Sequence, residues 1–291
     1  MYPSRFNYES PKTLAEAIAL LDSGGGETKV LAGGQSLIPM MKLRFAFPGT
    51  VVDINNIPGL NYHRFDSDGT LRIGALCRHE DLEFSDVIAK GQQTIAAAAP
   101  LVADPIVRAR GTFVGSLCHA DPQGDWSAVM IALNGRVVVQ GPKGKREIAM
   151  KDFVLGPFQT AMEFNEIAIE AVIPAPVGQS RGGYLKLERR VGDFATASVA
   201  VAIEISGGKV LRAGIAMAGV GGKTIDATDA ASSLVGQALT EANIAKVAAA
   251  VAAVAEPRSD HRGSSDYKRQ IIRTFVTRIL TSIANPTKKA A

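Results

Sequence analysis

Thr28-Lys29-Val30-Leu31-Ala32-Gly33-Gly34-Gln35-Ser36 is the stretch whose reading decides the fold. Thr28 to Leu31 has the character of a short buried strand, two glycines interrupt it, and the apolar run from Leu37 predicts a helix. Glycine tolerates positive φ and carries no Cβ, so consecutive backbone N–H groups at Ala32 to Ser36 can close around an anion. The spacing matches neither G-x-G-x-x-G nor G-x-x-x-x-G-K-[ST], which removes the main support for an NAD-first dinucleotide protein and for an ATPase. A single loop of this kind reads first as a plain tight turn.

On the N-terminal side, Thr13-Leu14-Ala15-Glu16 is a capping box that opens a short helix to about Leu21, ended by Gly24-Gly25-Gly26. On the C-terminal side, Thr50 to Ile54 and Thr70 to Ala75 read as further strands. Thr94 to Ala103 is expected as an alanine-rich buried helix stopped by Asp104-Pro105. Ile106 to Gly111 then leads into a second small-residue loop, Thr112-Phe113-Val114-Gly115-Ser116, with Asp121 and Asp125 close behind it. Two such loops without a P-loop suggest an extended ligand held at two places. A doubly negative dinucleotide pyrophosphate suits a cradle of amides and hydroxyls, and an acid such as Asp125 could accept from ribose hydroxyls.

Further strands are expected at Arg136 to Gln140 and Glu166 to Ile173. Pro174 to Gly183, dense in proline and glycine, reads as a linker and boundary. Beyond it come strand-like segments at Tyr184 to Glu188, Ser198 to Ile205 and Val210 to Met217, then helices near Glu241 to Val254 and Asp266 to Ile283. In the last helix Tyr267, Ile271, Phe275, Ile279 and Ile283 recur at fourfold spacing, which reads as packing rather than a cofactor box.

A chain of 291 residues exceeds one comfortable core, so two or three units of about 100 residues are expected. Apolar residues make up 46 % and charged residues 21 %, with 29 glycines, which fits a globular protein rich in turns. The formal charge of +4 is scattered except at Lys288 and Lys289, so neither nucleic acid nor a membrane surface is indicated. Val247 to Ala255, the longest alanine-valine stretch, is too short to span a bilayer, and the N-terminus does not read as a signal peptide; a cytoplasmic protein is expected. Cys77 and Cys118 are too few for an iron–sulfur cluster, so any electrons must be carried by an organic cofactor. No metal site is expected: the four histidines show no ligand spacing, and His119 beside Asp121 reads as a positioning group. Arg189 and Arg190 read equally as a solvated edge or a subunit contact, with Asp193 as their counter-ion. No catalytic acid–base set or nucleophile stands out.

Longer motifs add a resemblance. Ala32-Gly-Gly-Gln-Ser-Leu-Ile-Pro-Met-Met-Lys-Leu-Arg44 and Arg108-Ala-Arg-Gly-Thr-Phe-Val-Gly-Ser-Leu-Cys-His-Ala-Asp-Pro122 resemble the two flavin motifs of the medium subunits of bacterial molybdenum hydroxylases, of the carbon monoxide dehydrogenase and xanthine dehydrogenase type. Val52-Asp-Ile-Asn55, Tyr184 to Ala195, Glu256-Pro257, Arg262-Gly263 and Tyr267-Lys268 extend the similarity over nearly the whole chain. The resemblance implies an α+β fold: a two-lobed FAD-binding domain of vanillyl-alcohol-oxidase type over residues 1–177, with lobes at about 1–55 and 56–177, then a smaller α+β domain over 178–291. It implies one non-covalent FAD held by Ala32, Gly33, Gly34, Gln35 and Ser36 and by Thr112, Phe113, Val114, Gly115 and Ser116. Val102 and Ala168 would add backbone or apolar contacts, Asp125 would bind the adenosine ribose, and Lys186 would lie near the flavin. The family usually has two glycines at Val114-Gly115. A valine there implies either extended backbone or a weakened phosphate contact, because β-branched residues resist positive φ.

The function implied is electron transfer within a molybdenum-containing oxidoreductase. The chain would accept electrons from a small [2Fe–2S] subunit, itself fed by a large molybdopterin subunit, and pass them to an external acceptor, in a dimer of heterotrimers. Two other readings are an autonomous FAD-dependent oxidase of the same fold and a flavin-less assembly subunit.

Overall fold

The strand at Thr28 belongs to a parallel sheet of three. In the computed structural model, which describes residues 2–285, β1 (Asn7–Glu9), β2 (Thr28–Leu31) and β3 (Thr50–Asp53) lie in the order β1, β3, β2. Lys288 and Lys289 lie outside the described residues. The capping box forms as expected: Thr13 Oγ1 accepts from the Glu16 amide at 3.2 Å, and the Glu16 carboxylate accepts from the Thr13 amide at 3.3 Å. The helix it opens, Leu14–Ser23, buries Ala17, Ile18 and Leu21 against Val52 and Ile54 of the sheet side.

The second unit is an antiparallel sheet whose middle strand arrives last. β4 (His63–Phe65) and β5 (Leu71–Gly74) precede β6 (Arg136–Gly141), β7 (Gly144–Ala149), a small hairpin of β8 (Val154–Gly156) and β9 (Gln159–Thr160), and β10 (Ile167–Ile173). The five main strands run in the order β4, β5, β10, β6, β7. Every residue of β10 is buried because both its faces are covered. Ile167, Ile169 and Val172 join the core under the first sheet, whereas Ala168, Ala171 and Ile173 face a helical layer. That layer includes Gln93–Ala98, Phe113–His119 and Asp125–Ala132.

The third unit is an antiparallel sheet of β11 (Gln179–Leu187), β12 (Ala197–Ser206), β13 (Lys209–Ala218) and β14 (Ile225–Asp226), in that order. Side-chain size alternates across it. Val199, Val201, Ile203, Ile215 and Met217 pack against Glu241–Ala253 and Ser265–Ala284, while Ala200, Ala202, Ala216 and Ala218 face the core that contains Asp125–Ala132. Small residues on that face let the sheet settle onto the helix. Gly214 marks the closest approach, since a Cβ there would collide with the Ala132 carbonyl.

Three expectations need correction. The segment read as one helix from Thr94 to Ala103 is an α-helix at Gln93–Ala98 followed by a 3₁₀ turn at Ala99–Leu101, because Pro100 cannot continue the hydrogen-bond ladder and Ala103 has φ +49. The segment read as linker is irregular only in its first half: β11 begins at Gln179, and Gly182 and Gly183 are packing positions. A Cβ on Gly182 would strike the side chain of Thr94 and the Val201 carbonyl, and one on Gly183 would press on Ile279. In the last helix Tyr267 is exposed, while Lys268, Ile271, Ile272, Val276, Ile279 and Leu280 are buried. A strict fourfold stripe drifts around a helix of 3.6 residues per turn, so its first member leaves the buried face.

Candidate cofactor site

The loop Ala32–Ser36 connects β2 to the short helix Leu37–Lys42, with Gly34 at φ +74. Among the described residues, none of the backbone N–H groups of Gly33, Gly34, Gln35 and Ser36 donates to a protein acceptor; the first amide to do so is that of Ile38, to the Gly34 carbonyl at 3.1 Å. Ser36 stands at the N-cap position, yet its hydroxyl makes no capping bond. Consecutive free amides with a hydroxyl beside them form an anion-binding nest.

The second loop is a helix start. Thr112 caps Phe113–His119, its Oγ1 accepting from the Gly115 amide at 3.2 Å. Phe113 and Val114 are buried, and Phe113 packs on Trp126 with ring centroids 4.6 Å apart. Neither side chain is open to a ligand, and because the Phe113 amide donates to the Cys77 carbonyl at 3.0 Å, only the Val114 amide of the two is left without a protein acceptor. Val114 lies in the first helical turn and is absent from the residues with positive φ, so the geometry is neither extended nor strained. The valine stands where helical backbone and an apolar pocket both accommodate it.

The two loops meet. A Cβ on Gly33 would stand 2.7 Å from Gly111 Cα and clash with the Arg110 carbonyl. A polar strap also crosses between them: Arg78 donates to the Arg110 carbonyl and to Asn55 Oδ1, each at 2.6 Å, and Asn55 Nδ2 donates to the Ala32 carbonyl at 2.8 Å. Beneath the second loop His79 is 4 % exposed, and its amide donates to the Gly111 carbonyl at 3.1 Å. Trp126 Nε1 lies 3.0 Å from His79 Nδ1. Indole N–H only donates, so Nδ1 accepts and the neutral ring carries its proton on Nε2. Burial, with the charges of Arg108 and Arg78, pushes the His79 pKa down to about 4.

Asp125 and Lys186 form a second cluster, and Val102 follows Leu101, whose carbonyl Lys186 holds. Asp125 opens the helix Asp125–Ala132 and is 5 % exposed. Tyr184 donates to its Oδ1 at 2.5 Å, and Lys186 Nζ lies 3.3 Å from its Oδ2 and donates to the Leu101 carbonyl at 2.9 Å. Burial raises the Asp125 pKa, while the Lys186 charge and the Tyr184 hydrogen bond act the other way. Arg108 holds the next two carbonyls, those of Val102 at 3.1 Å and Ala103 at 3.0 Å, and is itself fixed by Glu83 at 2.7 Å. Ala168 lies apart from this cluster, on β10 at a register shift and in the core shared with Phe113 and Leu117.

Sequence reasoning had not assigned Arg78, Glu83 or Tyr184 to this region. Asn55, Arg108 and Tyr184 stood inside quoted motifs and were within reach. Arg189 pairs with Asp193 at 3.4 Å, as expected of a local counter-ion. His119 Nε2 lies 3.9 Å from Asp121 Oδ2, and among the described residues no group of three or more His, Cys, Asp and Glu could hold a metal ion. No described helix is long and apolar enough to cross a membrane.

Free amides from Gly33 to Ser36, a glycine at position 33 whose Cβ position is filled by the opposing loop, and hydroxyls at both helix starts fit the pyrophosphate of a dinucleotide. Fold and site thus define an α+β nucleotide-cofactor-binding protein. Residues 4–176 match the family described as FAD binding domain in molybdopterin dehydrogenase, and residues 183–283 match the CO dehydrogenase flavoprotein C-terminal domain. The chain belongs to the family of FAD-binding medium subunits of molybdenum hydroxylases. It is 40 % identical to the carbon monoxide dehydrogenase medium chain of Hydrogenophaga pseudoflava, over 97 % of this chain and 98 % of that one. It is 35 % identical to the glyceraldehyde dehydrogenase medium chain of Sulfolobus acidocaldarius, over 98 % and 100 %. The solved structure of Hydrogenophaga pseudoflava carbon monoxide dehydrogenase lacking the Mo-pyranopterin moiety superimposes with a TM-score of 0.92 at 41 % identity, over 97 % of this chain and 98 % of that one.

Proposed function

We propose that this chain is the electron-transfer subunit of a molybdenum hydroxylase, taking electrons from a [2Fe–2S] subunit and passing them to an external acceptor. The observation that carries this reading is the paired-loop cradle in a chain whose two cysteines are both free and cannot hold a cluster. Bound FAD supplies chemistry that no side chain here offers, namely exchange of electrons singly or in pairs. The protein's part is binding and orientation. Gly33 to Ser36 would donate amides to the pyrophosphate, and the Val114 amide and the Ser116 hydroxyl would join them from the turn after Thr112. In that turn the amides of Phe113, Gly115 and Ser116 are engaged by the Cys77 carbonyl, Thr112 Oγ1 and the Thr112 carbonyl. Ala32, Val102, Phe113, Val114 and Ala168 would give backbone or apolar contact.

Asp125 accepts a ribose hydroxyl through the lone pairs that Tyr184 and Lys186 leave free, since a carboxylate has about four acceptor sites. Lys186 holds the Leu101 carbonyl and thereby the approach to Val102. The proposed division is an FAD-binding domain over 1–177, in two lobes, and a C-terminal domain over 178–291. The medium-chain status of the relatives supports assembly with a small [2Fe–2S] and a large molybdopterin subunit, as a dimer of heterotrimers. Unpaired cysteines fit a reducing, cytoplasmic setting.

The test is an anaerobic half-reaction. The FAD-loaded chain alone is expected to stay oxidised with the complex's substrate, and to bleach once both partner subunits are added. Rapid bleaching of the chain alone would overturn the relay and favour an autonomous oxidase.

A further inference from the structure

Asp125 lies in the segment that matches the FAD-binding family model, but the groups that hold its carboxylate come from β11, beyond that segment. Tyr184 and Lys186 are two apart on this strand, so their side chains leave the same face. Glu188 continues the row just after the strand, its Oε2 3.3 Å from Lys186 Nζ. One strand face thus presents a neutral donor, a cation and an anion in order. The cation is divided among Asp125, Glu188 and the Leu101 carbonyl, so it does not by itself fix how the Asp125 carboxylate is turned.

Tyr184 does. Its ring is 3 % exposed and belongs to the core formed with Trp126, Ala200 and Ala216, so the hydroxyl has little freedom to move. Its bond to Oδ1 leaves Oδ2 for Lys186 and fixes the plane of the carboxylate. A buried phenol is costly to place unless its hydroxyl finds a partner, and here the partner is the proposed ribose acceptor.

We propose that Tyr184 is a positioning residue for FAD: by fixing the Asp125 carboxylate it adds a second side chain of strand β11, beside Lys186, to the cofactor site. The proposal rests on the reading that Asp125 accepts from the ribose. A chain with its C-terminal domain displaced would then hold FAD weakly, so cofactor binding and domain docking reinforce one another.

The experiment measures the FAD dissociation constant of the full-length apoprotein by flavin fluorescence for wild type, Tyr184→Phe, Asp125→Asn and the double variant. Asp125→Asn is expected to weaken binding tenfold or more, and Tyr184→Phe three- to tenfold. On the Asp125→Asn background, Tyr184→Phe is expected to change nothing further, an outcome that general loosening of the core would not produce. If Asp125→Asn weakens binding and Tyr184→Phe does not, the positioning role falls and the ribose reading stands. If Asp125→Asn has no effect, both fall. Equal weakening by Tyr184→Phe on either background also overturns the role. Should Tyr184→Phe fail to fold, 3-fluorotyrosine at position 184, a stronger donor of nearly the same shape, is expected to tighten FAD at least twofold, and an unchanged constant overturns the proposal.

Discussion

Gly33 and Gly111 meet backbone to backbone: a Cβ placed on Gly33 would lie 2.7 Å from Gly111 Cα. This requirement is steric and separate from the positive φ that Gly34 needs. It makes the distance between the two loops a property of the side chain that Gly33 lacks.

Gly33→Ala should therefore force the loops apart. Overpacking of this kind costs about 1–3 kcal/mol, so FAD affinity should fall about 5- to 150-fold, read by flavin titration of the apoprotein and seen as lower flavin content after purification. Gly222→Ala is the control, because a Cβ there meets nothing within 4 Å. Full flavin content in Gly33→Ala would show that the loops do not jointly hold the cofactor.

Val114→Gly should not tighten FAD, because the valine is already in helical geometry. Val114 is 2 % exposed, so removing three buried carbons at roughly 0.8 kcal/mol each, and adding roughly 0.4 kcal/mol for glycine in place of valine in a helix, predicts a loss of about 3 kcal/mol. Urea unfolding measures the loss and flavin titration the affinity. A tighter FAD constant would mean that the valine is a strained substitute for glycine.

Arg78 ties Arg110 to Asn55, and through Asn55 to Ala32. Arg78→Met should weaken FAD on the order of tenfold, about 1.4 kcal/mol. Arg78→Lys should not rescue it, since an ammonium lacks the planar fork that reaches two acceptors at once. Wild-type affinity in Arg78→Lys would assign the effect to charge alone.

His79 gives the acid limb of stability a specific source. Its folded pKa of about 4 lies below the ordinary 6.5, so between these values the unfolded chain binds the proton and the folded chain does not. Stability from this group is complete above about pH 6.5 and is lost as pH falls towards 4, by on the order of 3 kcal/mol. His79→Asn keeps an acceptor for Trp126 but does not titrate. The difference in unfolding free energy between variant and wild type should shift by that order between pH 7.5 and pH 4.5; a pH-independent difference would show that His79 titrates normally.

Local signals were the legible ones. The Thr13–Glu16 box and the strand into Ala32-Gly33-Gly34 are each written within a few residues, and each forms, whereas Thr112 to Ser116, read as a loop, is the capped start of a helix. β1 escaped notice because Asn7–Glu9 is short and fully exposed, and its pairing partner Thr50 lies far along the chain. The glycines at 182 and 183 looked like a linker because a packing glycine and a flexible one are the same letter; Thr94 and Ile279, which press on them, come from distant elements. The contacts of Asp125 were illegible for the same reason: Lys186 was placed in the site by resemblance, but nothing in the sequence shows that it and Tyr184 reach the start of the Asp125 helix from strand β11.

The most direct measurement is a titration of the purified apoprotein with FAD, followed by acid precipitation. The cradle predicts saturation at one FAD per chain and yellow FAD released into the supernatant. No saturable binding, or flavin that stays with the precipitated protein, would contradict a non-covalent FAD site formed by these two loops.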